Sequence, residues 1–333
     1  MNVVEQSVTL WPIPFTAAET LRHVERAGRV CYKSEDKITD DSAEGFVRRI
    51  VERGHESVLE HGNIILMCDK KMYKAFRQYQ KAENAAGRSI FLRFTRRYDA
   101  EDRAERFVVS GNLRAWRACV RYFIEEKYIR FDWMEAMANK YSWAFFDMYA
   151  EMMNNTARDY TRQARIMDYE ELEGVIEQLT HMCITMTAIV DRGITHELVR
   201  HRPASYSQES TRYCNYLMGK FGSEISVIDP LFSDMEAGNI WQSACYGAER
   251  AYNALIEKGV KPQIARSVLP TCLKADLVIT ANLRELLHMI HLRSGAGAHP
   301  QAIAWATQTR ELLREEYPKL NIDEWEGWVA DGF

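Results

Sequence analysis

The sequence predicts a helix-rich α+β fold with a central mixed β-sheet, and three observations point there. Apolar residues recur at three- and four-residue spacing over long stretches, the mark of helices with one buried face. Short β-prone runs, such as Ile64-Ile65-Leu66-Met67-Cys68, interrupt them. The composition, 47% apolar and 27% charged, is that of a globular protein able to bury a sizeable core.

Taken in order, Thr16-Ala17-Ala18-Glu19 reads as a capping box that opens a helix, with Gly28 expected to close it. Phe46, Val47, Ile50 and Val51 give the next helix its apolar stripe, and Gly54 stops it. The 64–68 run reads as a buried strand, with two more at Ile90 to Thr95 and Phe107 to Ser110. From Asn112 to about Arg165 the chain reads helical. Its Trp116, Trp133, Trp143, Met148 and Met152 form either core or subunit interface. Met182 to Val190 alternates as a half-buried strand should, and Gly193 then opens a helix. A short strand is expected at Ile225 to Ile228, and a helix from about Asn239 to Lys258. Further helices are expected around Asn282 to Arg293 and Gln301 to Tyr317. Ser110-Gly111-Asn112-Leu113-Arg114 echoes Thr280-Ala281-Asn282-Leu283-Arg284. Chance would produce such an echo, and so would two similar strand-to-helix turns; no repeat follows from it alone.

Net charge is −4, so the molecule has no basic field for duplex nucleic acid, and any anion site must be local. No apolar run reaches the roughly 18 residues of a membrane helix, and Met1 to Phe15 lacks the order of a signal peptide. A cytoplasmic protein is expected. Cysteines at 31, 68, 119, 183, 214, 245 and 272 show no Cys-x-x-Cys spacing, which favours reduced thiols. His288 and His291 could share a metal, but helix-face histidines are the plainer reading and no metal is expected.

Four blocks could carry chemistry. Arg200-His201-Arg202 stands before Ser210-Thr211-Arg212, and guanidinium forks in such density suit phosphate and nucleobase edges. A solvated basic turn is the alternative. Gly54-His55-Glu56-Ser57-Val58-Leu59-Glu60-His61 is a dense polar cluster, equally readable as a helix cap with surface ion pairs. Ala265-Arg266-Ser267-Val268-Leu269-Pro270 sets an arginine before an apolar, strand-like step. Asn282-Leu283-Arg284, His288 and Arg293 follow along one helix.

Together these blocks resemble the flavin-dependent thymidylate synthases, whose Arg-His-Arg-x7-Ser signature is complete at 200–210. The resemblance implies a thymidylate synthase-complementing protein type of fold. It also implies FAD-dependent methylation of dUMP to dTMP, with 5,10-methylenetetrahydrofolate as carbon donor and NADPH as reductant. A homotetramer with shared active sites is implied as well. Carried over, Ser57, Glu60, Arg200, His201, Arg202, Gln208, Asn282, Arg284 and His288 would contact FAD. Glu197, Arg200, Gln208, Glu209, Ser210, Thr211, Arg212, Arg266 and Arg293 would line the dUMP site. Arg293 would activate the pyrimidine, since a guanidinium beside the ring favours its N3-deprotonated form. Ser210 would bind substrate rather than attack it, and Cys272 would be a structural thiol.

The chain departs from compact relatives in that 138 residues separate His61 from Arg200. A single domain over 1–333 with an insertion at about 70–181 is therefore expected. Glu197 stands where many relatives have Gln. A related flavin- and folate-dependent pyrimidine nucleotide (hydroxy)methylase, or a non-catalytic nucleotide- or RNA-binding homologue, is the alternative function.

Overall fold

The structure is a computed structural model that describes residues 1–87, 92–99, 103–127, 129–154, 157–212, 216, 224–230 and 232–332. Ile90 of the expected strand and Cys214 fall outside the described residues. The chain begins β1 (Asn2–Val4), β2 (Ser7–Leu10), α1 (Ala17–Tyr32), α2 (Ser42–Glu52), β3 (Asn63–Cys68) and α3 (Lys70–Ala85). It continues β4 (Arg93–Asp99), β5 (Ala104–Asn112), α4 (Leu113–Arg121), α5 (Asp132–Lys140), α6 (Ser142–Asn154) and β6 (Ala164–Met167). Then come α7 (Gly174–His181), β7 (Cys183–Asp191), α8 (Arg192–Leu198), β8 (Ser205–Gln208), β9 (Ser226–Ile228) and α9 (Met235–Glu257). Last are α10 (Pro262–Ala265), β10 (Lys274–Asn282), α11 (Leu283–Arg293), α12 (Pro300–Glu316) and α13 (Ile322–Ala330).

The helix-rich α+β class is as expected, and the β-structure is divided among three sheets. One is four-stranded in the order β2-β7-β10-β8 and another in the order β4-β5-β3-β6. Every pairing in these two is antiparallel. The parallel component is the separate pair β1-β9, tied by a Val227–Leu273 bridge to the segment leading into β10. The stretch expected as an insertion supplies β4, β5 and β6, three strands of a sheet whose remaining strand, β3, precedes it. It is part of a core rather than a decoration on one.

Two main cores result. The first lies between the β4-β5-β3-β6 sheet and the helices of the first half, and it buries all five named Trp and Met side chains. Of the two readings of that stretch, core is the one realised. Fully burying side chains of this size contributes on the order of 2–3 kcal/mol each before entropy is counted. The second core packs α11, α12 and α13 on the β2-β7-β10-β8 sheet. Helix α1 bridges them, with Ala27 and Val30 against Val278 of β10 and Val24 in the first core.

Helix α1 opens with the expected box: the Glu19 amide donates to Thr16 Oγ1, and the Thr16 amide donates to Glu19 Oε2. It does not stop at Gly28 but runs to Tyr32, with Lys33 as the left-handed cap at φ 48°. Gly28 is there for close approach, since a Cβ would lie 2.7 Å from the Phe46 ring and 2.8 Å from Val58. Gly54 does stop α2, at φ +70°. The expected strand-like step at 265–270 is instead the end of α10 and a 3-10 turn, Arg266–Val268. Strand β10 was not foreseen: its nearly unbroken apolar run continues into α11, so periodicity does not separate strand from helix.

Candidate active site

Helix α8 and strand β8 organise the Arg-His-Arg block. Asp191 caps α8 by accepting from the Ile194 amide at 2.7 Å, and the helix delivers Glu197 one turn before the triplet. The chain turns through Arg200 to Pro203, with a cis Arg202–Pro203 bond, and re-enters the sheet as β8 beside β10. Tyr206 locks that turn by donating to the carbonyls of Leu198 (2.8 Å) and His201 (3.0 Å). Arg200 and Arg202 are exposed and have no ion-pair partner among the described residues.

Arg293, at the end of α11, reaches back to this turn. Its Nη1 donates to Glu197 Oε2 at 2.7 Å, its Nη2 to the Glu197 carbonyl at 2.9 Å, and its Nε to His201 Nε2 at 3.0 Å. Burial, then Arg293 and His288, push the His201 pKa down to about 4, so the ring is neutral near pH 7 and can accept that bond. The His288 ring lies edge-on to His201 at 6.3 Å between centroids. Burial, His291 and Arg284 likewise lower the His288 pKa.

On the other side of α8, Gln208 Nε2 donates to Thr195 Oγ1 at 3.0 Å. Arg266 Nη1 donates to Thr211 Oγ1 at 3.2 Å, and the Ser210 amide donates to the Cys31 carbonyl at 3.2 Å. The Arg212 amide donates to Ser210 Oγ at 3.3 Å. Ser210, Thr211, Arg212 and Arg266 thus come together although 53 residues separate Arg212 from Arg266 in order of sequence. Glu209 is different. It is buried and surrounded by Lys274 (3.4 Å), Lys33 (3.7 Å) and the Tyr216 hydroxyl (3.4 Å), while Asp276 pairs with both lysines. Burial opposes the Lys33 charge, but Glu209 and Asp276 outweigh it and hold its pKa above the ordinary range. The Glu209 carboxylate is therefore engaged within the protein, and sequence inspection missed its partners Lys33, Lys274 and Asp276. No motif marks them.

The His-Glu block forms a 3-10 turn, Glu56–His61, before β3. Ser57 is exposed, whereas His61 is buried and contacts Thr280 Oγ1 at 2.8 Å and Ser207 Oγ at 2.9 Å. Glu60 accepts from Arg114 Nη1 at 2.6 Å and from Ser205 Oγ at 3.3 Å.

A cavity of about 830 Å³ opens here, lined from the first half by Glu60, Asn112, Arg114 and Arg93 among others and from the second half by Val199 and Arg202 to Tyr206. Of the residues expected at a cofactor, Glu60 and Arg202 line it. Ser57, Arg200, His201, Gln208, Asn282, Arg284 and His288 do not; the last three belong to α11 and its N-cap. Among the described residues, no group of three or more His, Cys, Asp or Glu could hold a metal ion, and no helix is long and apolar enough to cross a membrane.

Comparison with known proteins decides the family. The model of the thymidylate synthase complementing protein family matches residues 15–172 and again 134–319. The chain belongs to this family. A flavin-dependent thymidylate synthase of Geobacter sulfurreducens is 32% identical over 141 residues, which is 42% of this chain and 60% of the relative. That of Sulfurisphaera tokodaii is 30% identical over 183 residues, 51% of this chain and 69% of the relative. That of Pyrococcus abyssi is 32% identical over 127 residues, 38% of this chain and 52% of the relative. The matched part thus spans 52% to 69% of these three relatives' length.

Proposed function

We propose that the chain is a flavin-dependent thymidylate synthase that converts dUMP to dTMP, with 5,10-methylenetetrahydrofolate as carbon donor and NADPH as reductant. The observation that carries this reading is the grouping of two arginine sets around α8. Thr195 of that helix accepts from Gln208, beside the Ser210–Arg212 and Arg266 set, while Glu197 holds Arg293. A phosphate would take the first set and a pyrimidine the second. Family membership and the names of the relatives support the same chemistry.

The residues fit an anionic dinucleotide. Arg200 and Arg202 are unpaired among the described residues. The adjoining cavity has the size of a ligand site, and Arg93 Nε on its wall is buried with no hydrogen-bond partner. Arg200, His201, Arg202, Ser57, Glu60 and Gln208 are the second half's and the His-Glu block's candidates for holding FAD. When bound, FAD supplies the redox chemistry. The protein's own part is electrostatic: Arg293, fixed by Glu197 and a neutral His201, stabilises negative charge on the pyrimidine ring. Ser210 has no histidine positioned to take its proton and serves as a phosphate ligand. A homotetramer is the proposed assembly.

The test is direct. Purified protein should be yellow, be bleached by NADPH, and convert dUMP to dTMP when the folate is supplied. A protein that takes up no FAD would sink the proposal, and hydroxymethyl-dUMP as the steady-state product would move it to the hydroxymethylase reading.

A further inference from the structure

The two four-stranded sheets are the same object twice. Written as β6-β3-β5-β4, the first has the order of β2-β7-β10-β8, with antiparallel pairing throughout. Their registers superimpose: Asn63 faces Asn112 as Cys183 faces Asn282, and Thr95 faces Val108 as Ser207 faces Val278. Details beyond the sheets repeat as well. The Leu113 amide donates to the Gly62 carbonyl at 2.8 Å, and the Leu283 amide to the Met182 carbonyl at 2.8 Å. Asn112 caps α4 through the Ala115 amide, and Asn282 caps α11 through the Glu285 amide. The family model matches the chain twice. The echo at 110–114 and 280–284 is therefore one site of a duplication. The copies are interlocked, because β2 precedes β3 in sequence but pairs in the other sheet, and β6 stands likewise to β7.

Equivalent positions follow by counting from the paired strands. Arg293 corresponds to Phe123 and Ser210 to Tyr98, so the first copy lacks both the pyrimidine arginine and the phosphate serine. It does keep Asn112 and Arg114, the counterparts of Asn282 and Arg284. Asn282 spends its Nδ2 on the Thr180 carbonyl at 2.9 Å, whereas Asn112 Nδ2 has no hydrogen-bond partner among the described residues. Asn112 and Arg114 stand in the wall of the 830 Å³ cavity, which Arg202 of the second copy, without an ion-pair partner among the described residues, also lines. Arg93 of the first copy adds its orphaned Nε. Of the five glutamates in the lining, Glu60 pairs with Arg114 and Glu56 with Arg117 and Arg121, while Glu83, Glu125 and Glu126 complete the acidic part of the wall.

We propose that the cavity between the two copies is the dinucleotide-cofactor site, and that the first copy's Asn112 and Arg114, rather than Asn282 and Arg284, hold the cofactor's phosphates together with Arg202. This rests on the flavin reading above. The first copy has lost its pyrimidine arginine and phosphate serine and supplies the cofactor wall for the second.

The experiment compares FAD retention, by flavin absorbance and fluorescence titration of the full chain, in two matched double variants. Asn112→Asp with Arg114→Gln keeps the helix cap while replacing both donors; Asn282→Asp with Arg284→Gln does the same in the other copy. The first pair should weaken FAD binding at least tenfold more than the second. Circular dichroism and Tm confirm folding, and Arg202→Gln gives a third reading from the second copy's share of the lining, also expected to weaken FAD. If the second pair weakens FAD as much or more, the proposal is overturned while the flavin reading stands. If the unmodified protein takes up no FAD, both fall.

Discussion

His61 and His181 stand in the same relation to opposite sheets. His61 precedes β3 but contacts Thr280 and Ser207 of the other sheet, at 2.8 and 2.9 Å. His181 precedes β7 and contacts Ser110 (2.8 Å) and Thr95 (2.9 Å), the equivalents of those two residues. Each half thus places a buried imidazole between two strands of the other.

Acid should loosen this interlock. Burial, then His23, holds His61 down to about 3, and burial, then Arg93 and Arg97, holds His181 down to about 3. Both lie below the unfolded value near 6.5, so the unfolded chain binds more protons between those limits. Stability is fully present above about pH 6.5 and is lost progressively as pH falls toward the folded values. Thermal unfolding should show Tm declining from pH 7 to 4.5, with a shallower slope in His181→Gln. A flat profile over that range would contradict the neutral-imidazole account.

Arg293→Lys keeps the charge but removes the fork that Glu197 and His201 hold. Turnover should fall about 100-fold or more, the scale of losing one aligned electrostatic donor. Flavin content should stay unchanged, which separates the pyrimidine role from cofactor binding. An unaltered kcat would remove Arg293 from the chemistry.

The Arg266–Thr211 bond should be visible in a double-mutant cycle. Arg266→Ala and Thr211→Val are each expected to raise the KM for dUMP, with a coupling of about 1 kcal/mol, as for one hydrogen bond. Additive effects would mean the two residues act apart.

Glu209 should report on stability before binding. Glu209→Gln leaves Lys33 and Lys274 sharing Asp276 in a buried setting, and breaking such a network costs about 3 kcal/mol. Denaturant titration should show the loss. A raised KM at unchanged stability would instead return Glu209 to the substrate site.

Gly28→Ala tests the closest approach in the helical layer. The new methyl meets Phe46 and Val58 inside 3 Å, an overpacking that should cost about 1–3 kcal/mol without altering the KM for dUMP.

Much of this was legible along the chain. The capping box at Thr16, the stop at Gly54 and the Trp-rich core helices rest on interactions within a few residues, and the structure has them. Gly28 was misread as a stop because its reason lies in Phe46 and Val58, outside its own helix. The arginine blocks were legible as anion chemistry, but Lys33, Lys274 and Asp276 were not, since lone charges on a helix end and a strand carry no pattern.

By itself the sequence determined the local elements, the family and the kinds of side chain available for an anionic nucleotide. Tertiary structure decided which sheet each strand joins and which Asn-Leu-Arg faces the cavity. The physical reason is that both copies carry the same short signal with the same local geometry. The crossing of β2 and β6 between sheets, set by partners more than 90 residues apart, interlocks the copies, and Arg202 and Asn112 come to line one cavity.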